Sequence, residues 1–173
     1  MFLTATNRLE IRTFESSDVK ALIPILPDPD VMEYSSKGPL SEAQTAEFID
    51  WCTHSYNELG YGQWAVIEKP SGRLVGYCGL SRTTVDGCDE VEIGYRLAKD
   101  RWGIGLATEA ARAALGYGFE ACNLESVVAI VAQNHAASIH ILEKLGFSNF
   151  IETRYAGWDV RLYRLTRPDW KPD

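Results

Sequence analysis

The strongest constraint on this chain is a glycine-spaced turn in mid-sequence, Trp102-Gly103-Ile104-Gly105-Leu106-Ala107-Thr108. A strand-like run ending at Leu97 leads into it, and a helix-like run to Phe119 follows. Glycines permit a tight turn and remove side chains where an anion must come close. The first turn of a helix leaves backbone N–H groups unpaired, and its dipole favours negative charge. A strand, a glycine turn and a helix in succession therefore make a phosphate site. The helix face Ala107, Ala110, Ala111, Ala114 and Leu115 keeps the helical period, and its alanines let the helix lie close to a sheet. Taken alone, the same glycines would also suit a plain strand-to-helix turn.

The surroundings narrow the choice of phosphate ligand. A P-loop needs Gly-Lys-Ser or Gly-Lys-Thr after the glycines, whereas Leu106-Ala107-Thr108 stands there. A dinucleotide fingerprint needs a third small residue where Thr108 stands, and a first βαβ unit around the turn. Here the turn follows a meander. The strand-like runs Trp64 to Ile67, Leu74 to Leu80 and Val91 to Leu97 are separated by turns at Pro70-Ser71-Gly72 and Asp86-Gly87.

The rest of the chain completes a mixed α/β order. Arg8 to Phe14 alternates polar and apolar residues, as a half-buried strand does. Ser17 to Leu26 reads as a short helix ended by Pro27 and Pro29. Ser41 and Gln44 form a capping box, and Phe48, Cys52, Tyr56 and Leu59 continue at helical spacing to a stop at Gly60. After the glycine turn come a strand from Ser126 to Val131 and a helix from Asn134 through Leu145. Closing strands follow at Asn149 to Thr153 and Asp159 to Thr166. The expected fold is one domain over residues 1–173, an α/β protein with a mixed, mostly antiparallel central sheet and helices on both faces.

Charge and cysteine usage exclude several classes. A net charge of -7 argues against a nucleic-acid partner, which calls for a basic footprint. No apolar run approaches the roughly 20 residues of a membrane span. The first residues lack the pattern of a signal peptide, so a cytoplasmic location is expected. Cys52, Cys78, Cys88 and Cys122 form no CxxC pair and have no histidine at ligand spacing, so no metal is expected.

Two blocks of the chain resemble a known family. Glu92-Ile93-Gly94-Tyr95-Arg96-Leu97, with Arg101-Trp102-Gly103-Ile104-Gly105-Leu106-Ala107-Thr108-Glu109-Ala110, is similar to the acetyl-CoA-binding motif of the GNAT superfamily of N-acetyltransferases. Asn134 to Ser138 and Glu143 to Phe147 resemble the second block of the branch that acetylates N-terminal amines of ribosomal proteins. Trp102 departs from the Gln or Arg frequent in the superfamily but is common in that branch.

What the resemblance implies is specific. Acetyl-CoA would be the co-substrate, with its pyrophosphate on the backbone of Gly103, Ile104, Gly105, Leu106, Ala107 and Thr108, flanked by Arg101 and Trp102. The strand from Glu92 would splay from its neighbour, and Ile93, Tyr95 and Leu97 would line the pantetheine groove. Asn134, Ile141 and Lys144 would contact the cofactor from the following helix. Acyl transfer to an amine needs a base for the ammonium proton and an acid for the departing thiolate. Glu92 is the candidate base, Ser138 the candidate acid, and Asn134 the candidate holder of pantetheine or an ordered water. Tyr34, Trp51 and Trp64 are candidates for the acceptor pocket, with Tyr61, Tyr155 and Trp158 beside them. The expected partners are an amine acceptor, either a protein N-terminus or a small molecule, and a second copy of the chain as a homodimer. Rival readings are a catalytically silent acyl-CoA sensor and a nucleotide-binding regulatory domain; both lack turnover.

Overall fold

The computed structural model describes residues 1–172. Strands β1 (Phe2–Ala5) and β2 (Leu9–Arg12) come first, then helices α1 (Val19–Leu22) and α2 (Glu42–Leu59). The meander is β3 (Gln63–Glu68), β4 (Arg73–Val85) and β5 (Cys88–Leu97). Helix α3 (Leu106–Gly116), strand β6 (Ser126–Ala132), helix α4 (Ala136–Lys144) and the hairpin β7 (Phe150–Tyr155) and β8 (Trp158–Thr166) complete the order.

Among the described residues, eight strands form one sheet in the order β1-β2-β3-β4-β5-β6-β8-β7. Its one parallel neighbour pair is β5 with β6. Side chains alternate across the sheet, and the core divides accordingly. Trp64, Val66, Cys78, Leu80, Ile93 and Leu97 pack with α3 and α4 on one face. Ala65 and Leu74 pack with α1 and α2 on the other. Helices thus cover both faces, as the sequence predicts. No helix among the described residues is long and apolar enough to cross a membrane.

Local chemistry sets the helix ends. Ser41 Oγ accepts from the Gln44 N–H, and Gln44 Oε1 accepts from the Ser41 N–H. Gly60 closes α2 in the left-handed conformation at φ 75. Three elements differ from the sequence reading. Strand β1 pairs with β2 although its four residues carry no usable periodicity. The first helix is shorter than read, a 3-10 turn Ser16–Asp18 running into α1. Helix α4 begins at Ala136, because the chain turns over Ala132 to His135, with the His135 N–H donating to the Ala132 carbonyl at 2.9 Å.

The meander is packed through glycine. A Cβ on Gly79 would stand 2.1 Å from the Gly62 carbonyl oxygen and 2.7 Å from Gln63 Cα. Both are backbone atoms that cannot step aside. Gly79→Ala is therefore expected to destabilise the fold by roughly 2 to 3 kcal/mol, as overpacking does. Urea unfolding would show a lower midpoint at an unchanged slope.

Candidate active site

The glycine turn is built as a cradle. Gly103 and Gly105 hold φ +76 and +84, a region costly for other residues. A Cβ at Gly103 would meet nothing within 4 Å, and one at Gly105 would meet only Arg8 Nη2 at 3.5 Å. The space above the turn is therefore open. Gly105 caps α3 without a side chain, and the first helical N–H to find a backbone partner is that of Glu109. The N–H groups of the first turn are left for a ligand. They border a groove of about 590 Å³ that runs along α4 past Ile141 to Lys144. Open glycines, unpaired donors and a flanking lysine fit a pyrophosphate.

Arg8 holds this turn in place, a role no motif announced. Its Nη1 donates to the Ile104 carbonyl at 2.8 Å, and its Nε meets Glu109 Oε2 at 2.7 Å. Burial raises the Glu109 carboxyl, but hydrogen bonds from Thr6 and Arg8 outweigh it and hold Glu109 below the usual carboxylate range.

Next to the groove the sheet opens. The β5–β6 ladder is a single parallel pair, Glu92 opposite Val128. Beyond it a cavity of about 190 Å³ lies between residues 92–96 of β5 and residues 129–132 of β6. Alternation places Glu92, Gly94 and Arg96 toward the α1 and α2 face, and Ile93, Tyr95 and Leu97 toward the α3 and α4 face. The parting strands thus make a slot through the sheet. Tyr34, Tyr95, Arg96, His135 and Ser138 border both the groove and the cavity.

The groups at the slot are electrostatically distinct. Burial pushes the Glu92 carboxyl up to about 7, against the pull of Arg96. Tyr95 Oη lies 2.6 Å from Ser138 Oγ. Burial pushes the Tyr95 phenol up to about 12, with the Ser138 hydrogen bond opposing the rise. His135 stacks on Tyr34 with ring centroids 3.9 Å apart and planes within 10°. Burial, with the Arg96 charge adding to it, depresses His135 to about 4, so the imidazole is neutral near pH 7.

The residues singled out from sequence divide clearly. Leu97, Arg101, Trp102, Gly103, Gly105, Leu106, Ala107, Thr108, Ile141 and Lys144 border the groove, Glu92 and Ile93 the cavity, and Tyr34, Tyr95 and Ser138 both. The Trp102 indole donates to the Leu97 carbonyl at 2.9 Å. The Arg101 guanidinium is paired with Glu68 at 3.0 Å and Asp100 at 3.1 Å. Ile104 is 53% exposed and contributes its carbonyl to Arg8, outside the groove lining. Asn134 is corrected too. It is exposed on the turn before α4, borders neither cavity, and is not one helical turn ahead of Ser138.

Trp64 is corrected as an acceptor contact. It is 1% exposed and meets Tyr117 edge to face in the core. Trp51 sits on the outer side of α2 against Phe48, and Tyr61 is buried in the core, so neither reaches the cavity. Tyr155 and Trp158 do border it, Tyr155 with its hydroxyl 2.9 Å from Thr83 Oγ1. Arg96 and His135 were missed. A charge inside a motif strand gave the only hint of Arg96, and His135 acquires its place from the turn before α4.

A donor anchored by phosphate at the cradle and extended along the groove would bring its far end to Tyr95 and Ser138. This is the architecture of an acyltransferase fed by acyl-CoA. The family described as acetyltransferase (GNAT) domain matches residues 8–148, and the chain belongs to it. GNAT acetyltransferases use acetyl-CoA as acyl donor, so this is an N-acyltransferase. Bacillus subtilis YkkB is 38% identical over 144 residues, covering 82% of each chain. The spermidine N(1)-acetyltransferase of Escherichia coli K12 is 50% identical over 148 residues, covering 84% of this chain and 76% of that one. The crystal structure of a GNAT-family acetyltransferase from Bacillus anthracis superimposes with a TM-score of 0.78 at 28% identity, covering 97% of this chain and 99% of the other.

Proposed function

We propose that the chain moves an acetyl group from acetyl-CoA directly to a primary amine, on a small molecule or a protein N-terminus, that enters through the 190 Å³ cavity. The observation that carries this reading is the slot, with Glu92 on the cavity side and the Tyr95–Ser138 pair where cavity and groove meet. Acetyl-CoA supplies the thioester, whose carbon–sulfur bond breaks as the amine nitrogen bonds to the acetyl carbon. Glu92 takes the proton that the ammonium must lose. With its carboxyl near 7 it is ionised at mildly alkaline pH yet basic enough to accept a proton. The Tyr95–Ser138 pair gives a proton to the departing sulfur, and the second proton that the nitrogen sheds as the amide forms restores the pair. Both hydroxyls stay protonated, and one can refill the other across 2.6 Å.

Two measurements test this. The first is thiol release from acetyl-CoA in the presence of amines and short peptides. Acetyl-CoA binding with no release on any acceptor would favour a silent sensor. The second compares Tyr95→Phe, Ser138→Ala and the double variant. Each single change is expected to lower kcat roughly hundredfold, a typical share for a proton donor. The double change should cost little more than either single one, because a relay fails when one member is lost. The KM for acetyl-CoA should stay within about threefold; a pure KM effect would assign the pair to binding.

A further inference from the structure

The cavity between β5 and β6 is bordered by one charged group of each sign. Of the residues that border it, Glu92 is the one carboxylate and Arg96 the one guanidinium. Arg96 spends its hydrogen bonds on neutral partners. Nη1 donates to the Tyr95 carbonyl at 2.8 Å and Nη2 to the Tyr34 carbonyl at 3.2 Å. Carbonyls fix its position without cancelling its charge. The bond to Tyr34 also ties the loop between α1 and α2 to β5, so the guanidinium is part of the frame of the cavity.

An amine arrives as an ammonium. One positive charge can pair with Glu92, but a second would face Arg96 inside the same confined cavity, where like charges repel at short range. The volume points the same way. A cavity of about 190 Å³ is little larger than the roughly 150 Å³ void that accepts one benzene ring. Its walls include the stacked Tyr34 and His135, with Trp158 6.2 Å from Tyr34.

We infer that the acceptor is a compact primary monoamine, about one aromatic ring in size and carrying a single positive charge, and that Arg96 excludes polyamines. This rests on the cavity being the acceptor site, as proposed above. The test is kcat/KM from thiol release at pH 8 and fixed ionic strength, with acetyl-CoA saturating. The acceptors are 2-phenylethylamine, an uncharged-side-chain dipeptide amide and spermidine. At least one monoamine is expected to exceed spermidine by about tenfold or more. Arg96→Gln should narrow that ratio by raising the spermidine value, even where the overall rate falls. Spermidine turned over as well as or better than both monoamines by the wild-type protein would overturn the inference and leave the acetyltransferase reading standing. Release with none of the three, by protein that binds acetyl-CoA, would overturn both. The wild-type ratio alone decides if Arg96→Gln does not fold.

Discussion

Gly105→Glu is expected to abolish acetyl-CoA binding while the protein remains folded. Three effects act together at this position. The backbone holds φ +84, so a side chain adds about 1 kcal/mol of local strain. The new carboxylate would stand at the N-terminal end of α3, beside the unpaired N–H groups that would receive a pyrophosphate. It would then occupy the anion site and repel the anion that belongs there. Space is not the obstacle to folding, since a Cβ at Gly105 meets only the flexible end of Arg8. The control is Gly105→Ala, which carries the strain without the charge and should weaken binding by roughly tenfold or less. Calorimetric titration with acetyl-CoA, next to thermal unfolding, separates these effects. Unchanged affinity in folded Gly105→Glu would remove the pyrophosphate from this turn.

The legible parts of the fold were those whose cause is local. The capping box at Ser41 and Gln44, the stop at Gly60 and the turns between the meander strands each need only a few adjacent residues to be recognised. The cradle was legible for the same reason, because glycine spacing and a helix start lie within seven residues. The slot was not legible from periodicity. It depends on β5 and β6 sharing one pair and then parting, a matter of which strand neighbours which. The resemblance supplied the splay, and the geometry agrees with it.

Side chains that reach the site from distant segments were the hardest to place. Trp64 and Trp158 are equally aromatic, yet alternation sends Trp64 into the core beneath α3, while the β7–β8 hairpin carries Trp158 to the cavity. Arg8 reaches the glycine turn from 96 residues away. Asn134 stands outside both cavities, on the turn before an α4 that starts at Ala136, two residues later than the sequence suggests. Helix boundaries are where sequence patterns are least sharp.

Glu92→Gln is expected to separate catalysis from stability. The carboxyl is raised by burial to about 7, and Arg96 opposes the rise. Of the other groups bordering the slot, Tyr95 stays protonated and His135 is neutral near pH 7. With Glu92 as base, wild-type kcat/KM should climb about tenfold per pH unit below 7 and level off above it. In Glu92→Gln that limb should vanish, and kcat/KM at pH 8 should fall about a thousandfold, within the usual range for a general base. Stability should move the other way. A carboxyl whose folded pKa lies above its unfolded 4.5 binds its proton more tightly when folded. Its contribution is present below pH 4.5 and is lost as pH rises through 7. At pH 8 the wild-type protein therefore carries a buried charge that costs up to about 3 kcal/mol, since each tenfold change in proton affinity is worth about 1.4 kcal/mol. Glutamine removes that cost. The variant should melt at a higher temperature than wild type at pH 8 and at nearly the same temperature at pH 4.5. A dead enzyme that is also less stable at pH 8 would make Glu92 a structural anchor of β5 and move the base to a water held elsewhere in the slot.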